Sequence, residues 1–140
     1  MNSLLRILQV EDSPEDQMMT AEALSEASPS TELRSVSTSK EAIAVLGEKN
    51  GWRPNIILLD LSLPGDSGFG VLQSIKSQPD LKTLMVIVFS SSKAEVDINR
   101  AYELQANCYI PKPADFEGYR GLMGLLKEFE LAHVQLPFRC

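Results

Sequence analysis

Residues 56–65 read Ile-Ile-Leu-Leu-Asp-Leu-Ser-Leu-Pro-Gly, and no other stretch limits the possible folds so tightly. Four consecutive aliphatic residues run into the carboxylate of Asp60, and Pro64-Gly65 then turns the chain. An unbroken aliphatic run of this length, bounded by turn residues, reads as a strand buried on both faces, the signature of a parallel sheet covered by helices. Asp60 falls at the carboxyl end of that strand, where open α/β sheets gather their ligands. An acid there is costly unless a cation or hydrogen-bond donor meets it.

The neighbouring segments repeat the pattern. A first strand is expected over residues 4–10, ending in Glu11-Asp12. Ser13-Pro14-Glu15-Asp16 then starts a helix: a serine cap, proline at the first helical position and acids in the first turn. Met18, Met19, Ala23, Leu24 and Ala27 follow at helical spacing, and Ser28-Pro29-Ser30 breaks the run. Residues 31–36 form a weaker, polar strand suited to a sheet edge, and Ser37-Thr38-Ser39 offers caps for a second helix ended by Asn50-Gly51. After the central strand at 55–60, Phe69, Val71, Leu72 and Ile75 mark a short third helix ending near Gln78-Pro79. Residues 84–89 are a fourth strand, fully apolar, that ends in Ser90-Ser91-Ser92. A fourth helix carries Ala94, Ile98, Ala101, Tyr102 and Leu104; a fifth strand at 107–110 is closed by Pro111-Lys112-Pro113. Asp115 caps a fifth helix with Phe116, Tyr119, Leu122, Leu126 and Phe129 on its apolar side.

Five alternations of strand and helix predict an α/β fold: a parallel sheet with helices on both faces and right-handed crossovers. The first, third and fourth strands are the most aliphatic and are expected at the centre. Their polar ends, Glu11-Asp12, Asp60 and the serine run, then meet Lys112 at one sheet edge.

Length and charge narrow the function classes. With 140 residues the chain builds one domain with a proper core; residues 1–131 are read as that domain and 132–140 as a tail. A net charge of −6 argues against a basic nucleic-acid surface. The two cysteines make no disulfide framework: Cys108 reads as a small buried residue and Cys140 as a free thiol outside any prenylation box. No leader pattern and no apolar run near the ~20 residues of a membrane span are visible, so a cytoplasmic chain is expected.

Three carboxylates in one crevice, Glu11, Asp12 and Asp60, repel one another unless a cation is present. With no histidine or cysteine among them, the oxygen set favours a hard divalent ion, Mg²⁺ rather than zinc. Lys112 adds a fixed positive charge and the serines add hydroxyls, so the site suits a phosphoryl group carried as an acyl-phosphate on Asp60. Taken singly, each residue has a plainer explanation: a solvated strand-end acid, a surface lysine, a serine cap. Their convergence at one edge favours the functional reading.

These motifs together (the acidic pair after the first strand, the LLDLSLPGDSG stretch, the serine run, the Tyr-Ile-Pro-Lys-Pro segment) resemble the CheY-like receiver domain of two-component signalling over residues 4–130. The resemblance implies strand order 2-1-3-4-5 and a single-domain response regulator, phosphorylated by a sensor histidine kinase, that signals by binding an unnamed downstream protein. It implies Asp60 as phosphoacceptor, Asp12 as direct Mg²⁺ ligand, Glu11 as ligand through water and the Ser62 backbone carbonyl completing the metal shell. Ser90 would be the switch hydroxyl with Ser91 beside it, Lys112 the pocket lysine with a cis bond to Pro113, and Tyr109 the switch aromatic. Ser62 and Ser92 hold positions that tune hydrolysis, so the only chemistry expected is gaining and slowly losing the phosphoryl group. Pro111 departs from the pattern by removing a backbone donor. Tyr102-Glu103-Leu104, Asn107 to Ile110 and the Leu136-Pro137 tail are similar to the small regulators that partner cyanobacterial and bacterial phytochromes.

Gly118, Gly121 and Gly124 recur every three residues in the fifth helix, each costing up to ~1 kcal/mol relative to alanine. They are either a poorly optimised exposed face or a smooth strip for a second chain, and a homodimer through helix 4, strand 5 and helix 5 is expected. Three competing readings stay open. A flavodoxin-like FMN protein shares the fold, but the four acids of residues 11–16 would repel its phosphate. An aspartyl phosphatase needs a different acid spacing after the first strand. A pseudo-receiver would bind partners without being phosphorylated.

Overall fold

The computed structural model describes residues 5–48, 51–64 and 67–130. Five strands, β1 (Arg6–Val10), β2 (Glu32–Val36), β3 (Ile56–Leu59), β4 (Met85–Ser90) and β5 (Cys108–Pro111), alternate with α1 (Pro14–Ala27), α2 (Ser39–Gly47), α3 (Gly68–Ser77), α4 (Glu95–Glu103) and α5 (Phe116–Glu130). All strands are parallel in the order β2-β1-β3-β4-β5. The expected order, the central aliphatic strands and the polar strand at one edge are all present. The second helix stops at Gly47, short of Asn50-Gly51; Asn50, Gly65, the Phe129 side chain and the tail fall outside the described residues.

The aliphatic runs work because alternate residues feed two cores. Ile56 and Leu58 of β3 join Ile7, Ile87 and Phe89 beneath Leu24, Tyr119 and Met123. Ile57 and Leu59 point the other way, to Leu8, Val86 and Val88 beneath Leu46, Leu72, Ile75 and Ala101. Helices α1 and α5 thus cover one face, and α2, α3 and α4 the other. Burying each such side chain contributes roughly 1.5–3 kcal/mol, which fixes the register and therefore which strand ends meet.

Sequence signals account for the helix starts. The Ser13 hydroxyl accepts from the Asp16 N–H at 3.3 Å, with Pro14 first in the helix. Thr38 caps α2 by accepting from Glu41 N–H at 3.1 Å. Asp115 accepts from Gly118 N–H at 2.9 Å at the start of α5.

Three expectations are corrected. The Lys112–Pro113 bond is trans, since no cis peptide bond occurs among the described residues; trans is the favoured form even before proline. Cys108 is half-buried rather than buried, because β5 is an edge strand. The glycines of α5 are not one strip: a Cβ at Gly118 would meet the Pro113 Cβ at 2.4 Å, while Gly121 and Gly124 face open space.

Candidate functional site

Register decides what converges. Val10, Leu59, Val88 and Tyr109 stand side by side across the sheet. One residue further on, Asp60 N–H donates to Val10 O at 3.0 Å and Glu11 N–H to Val36 O at 3.0 Å, so both acids leave the sheet at the same level. They are buried, at 4% and 3% exposure, and Asp12 beside them is exposed. Glu11, Asp12 and Asp60 each offer a carboxylate oxygen within 4.8 Å of the others.

Pro111 does not disturb the presentation of Lys112. The Lys112 N–H donates to Ser90 O at 2.8 Å, carrying the β4–β5 ladder one residue past the proline. At the alternate position Tyr109, the N–H points away from β4 and donates to the Tyr102 hydroxyl at 3.1 Å. The donor that Pro111 lacks would lie on that same free edge, where an edge strand tolerates proline.

The Lys112 ammonium reaches Glu11 Oε1 at 2.5 Å, Asp16 Oδ2 at 2.8 Å and Asp60 Oδ2 at 3.2 Å. An ammonium has three N–H donors, and these three carboxylates take all of them. Burial opposes the charge on Lys112, yet hydrogen bonds to Asp16 and Glu11 and the charge of Asp60 outweigh it and hold the ammonium above the ordinary lysine range. Glu11 shows the opposite balance: burial pushes it up to about 7, with Asp60's charge adding to the rise and the Lys112 hydrogen bond resisting it. A buried carboxylate so strained in charge is one that a divalent cation would relieve. The all-oxygen donor set of Glu11, Asp12 and Asp60 fits a hard ion.

Two residues join the site in roles that the sequence motifs did not assign to them. Asp16 is one; in sequence it is hidden because an acid in a helix's first turn already has a reason to be there. Gly68 is the other: a Cβ on it would lie 2.2 Å from the Asp60 carbonyl oxygen, so α3 can start against the end of β3 only with glycine there. Asp60 Oδ1 also accepts from Ser62 N–H at 3.2 Å, which fixes the carboxylate's rotamer.

Ser90 and Tyr109 are brought to the same cleft, joined to each other rather than to the carboxylates. Ser92 N–H donates to the fully buried Ser90 hydroxyl at 3.3 Å, and the Tyr109 hydroxyl donates to Ser92 O at 2.8 Å. The Tyr109 ring already lies inward, only 9% exposed. Ser92 Oγ donates to Asp97 Oδ2 at 2.6 Å and accepts from Ala94 N–H at 3.3 Å, so the loop that follows Ser90 is tied to the start of α4.

Comparison with known proteins agrees with this geometry. Residues 7–120, from β1 into α5, match the response regulator receiver domain. The response regulator Rcp1 of Synechocystis sp. is 38% identical over 135 residues, 94% of this chain and 92% of Rcp1. The crystal structure of the phosphorylated cyanobacterial phytochrome response regulator RcpA superposes with a TM-score of 0.89 at 39% identity, covering 97% of this chain and 100% of that one. The Mn²⁺-bound form of Rcp1 gives 0.86 at 37% identity, covering 96% and 99%. A carboxylate cluster opposed by one lysine at the strand ends, in a chain matched from β1 into α5 and over nearly the whole length of these regulators, makes this protein a member of the response regulator receiver family of two-component signalling.

Proposed function

We propose that the protein accepts a phosphoryl group on Asp60 from a histidine kinase and signals through phosphorylation-dependent protein binding, the kinase being a phytochrome. The observation that carries the acceptor assignment is the placement of Asp60: buried, oriented by Ser62 N–H, within reach of Lys112 and clustered with Glu11 and Asp12. In the transfer, an Asp60 carboxylate oxygen forms a bond to phosphorus as the phosphorus–nitrogen bond to the donor imidazole breaks, and the imidazole nitrogen takes up a proton. Lys112 offsets charge on the transferring group. Glu11, Asp12, Asp60 and the Ser62 carbonyl would hold Mg²⁺, which when bound supplies further charge neutralisation at the phosphoryl oxygens. The chain's own chemistry is then limited to gaining and hydrolysing its acyl-phosphate.

Ser90 is the hydroxyl that follows the phosphoryl group, and Tyr109 responds through Ser92. The output surface is α4–β5–α5, used by a homodimer or a downstream protein. Tyr102 at 49% and Leu125 at 66% exposure, beside the open Gly121 and Gly124, support that assignment. The receiver unit spans residues 1–131 with 132–140 as its tail, and acts in the cytoplasm; among the described residues no helix is long and apolar enough to cross a membrane.

The test is phosphotransfer. The protein is mixed with an autophosphorylated phytochrome histidine kinase in Mg²⁺ buffer, under red and far-red light. Label should move to this chain, be released by hydroxylamine as an acyl-phosphate is, and vary with light. Transfer that is light-independent overturns the phytochrome assignment alone; absence of transfer from any histidine kinase or small phosphodonor overturns the acceptor assignment. Sedimentation with and without beryllofluoride tests the dimer, which a monomer in both states overturns.

A further inference from the structure

The three acceptors on Lys112 are not equivalent. Glu11 and Asp60 belong to the cluster whose oxygens lie together for a metal ion, whereas Asp16 does not. A divalent ion held by Glu11, Asp12 and Asp60 would compete with Lys112 for Glu11 and Asp60, and an acyl-phosphate on Asp60 would turn that carboxylate into a mixed anhydride and remove its negative charge as a partner for the ammonium. Asp16 is the acceptor that neither event removes.

Its mounting suits that task. Asp16 stands in the first turn of α1, its N–H capped by the Ser13 hydroxyl. Gln17, the next residue, donates to Glu11 O at 2.5 Å, locking the helix start to the strand end. Further along, Glu26 of α1 pairs with Arg120 of α5 at 3.0 Å. Asp16 is therefore held by a helix packed on its neighbour, while its 2.8 Å contact to Lys112 is shorter than the 3.2 Å contact to Asp60. A lysine on a four-carbon stem is a mobile point charge until something fixes it.

We infer that Asp16 is a positioning residue for phosphoryl transfer: it tethers the Lys112 ammonium beside Asp60, so that the N–H groups released by Glu11 and Asp60 turn to the phosphoryl oxygens. This rests on Asp60 being the acceptor. Asp16 touches no reacting atom; it acts through the lysine.

The test compares wild type, Asp16→Ala, Asp16→Asn and Asp60→Asn by calorimetric titration with Mg²⁺ and then with beryllofluoride, a mimic of the phosphoryl group. Asp16→Ala is expected to weaken beryllofluoride binding about tenfold with a change of no more than about threefold in Mg²⁺ affinity, since charge-assisted tethers are the strong ones. Asp16→Asn keeps an acceptor oxygen and recovers part of the loss. Retained Mg²⁺ binding shows that the variants are folded. Unchanged beryllofluoride affinity overturns the inference. So does tighter binding, which would make Asp16 a competitor that holds the lysine back, and so does an equal loss of both ligands, which would be a general effect of charge. Wild type that binds no beryllofluoride, or Asp60→Asn that binds it equally well, takes down the acceptor reading and the inference with it.

Discussion

At the Asp60 end of the cleft one ammonium faces three carboxylate oxygens at 2.5–3.2 Å. At the other end Ser90, Tyr109 and Tyr102 are joined through Ser92 and the β5 backbone by neutral hydrogen bonds of 2.8–3.3 Å. Charge-assisted bonds in a dry pocket are strong and respond steeply to a new ion or a new anion. Neutral bonds contribute a net ~1 kcal/mol each and are exchanged at little cost. The bonds at the first end are therefore the ones that answer to a change of charge, and those at the second end the ones that exchange cheaply.

That contrast is breakable. The largest effect belongs to Lys112→Ala, which leaves Glu11 and Asp60 buried with no cation. It is expected to lower stability by about 3 kcal/mol in metal-free buffer, with Mg²⁺ restoring part of it; urea unfolding with and without the ion measures this. A loss as small as that of a surface lysine would mean that the carboxylates are not really confronting one another.

Gly68→Ala comes next. Its Cβ has nowhere to go at 2.2 Å from Asp60 O, so β3 and α3 must part, costing about 1–3 kcal/mol and slowing phosphorylation from a small phosphodonor. Gly121→Ala, facing open space, is the control; equal effects at both would remove the close approach at Gly68 from the account.

The pH dependence is subtler. Glu11 is raised from 4.5 to about 7 in the fold. The folded protein therefore binds more protons at this group than the unfolded chain, and the contribution present at low pH is lost as pH rises through about 7. Metal-free protein should lose stability between about pH 4.5 and 7, and Glu11→Gln should flatten that slope. A slope of the opposite sign, or one unaltered in Glu11→Gln, would contradict the assignment.

Tyr109→Phe is the smallest. It deletes the bond to Ser92 O and is expected to cost about 1 kcal/mol while leaving the phosphorylation rate within about threefold. A large fall in that rate would mean that the two ends are one rigid unit.

The two ends also differ in how legible they are in sequence. Glu11, Asp12, Asp60 and Lys112 follow aliphatic runs whose burial fixes their register, so strand pattern alone brings them together. Asp16 and Gly68 escape for opposite reasons. Asp16 already has a role as a first-turn acid, and nothing local says that its carboxylate reaches a lysine 96 positions away. Gly68 closes the LLDLSLPGDSG stretch, but why it is glycine is hidden until the backbone of Asp60 is set against it. At the neutral end, Ser90 and Tyr109 are visible by position. The donor–acceptor order through Ser92 and the capping of Tyr109 N–H by Tyr102 depend on side-chain geometry that periodicity does not encode. Pro111 shows the limit of counting donors: the loss is harmless because it faces the free edge of β5.

Whether Asp60 carries the phosphoryl group is decided by intact-mass measurement of wild type and Asp60→Asn after incubation with Mg²⁺ and a small acyl-phosphate donor. A gain of one phosphoryl group is expected in wild type and none in Asp60→Asn; a gain that persists in Asp60→Asn, or is missing from wild type, rules Asp60 out as the acceptor.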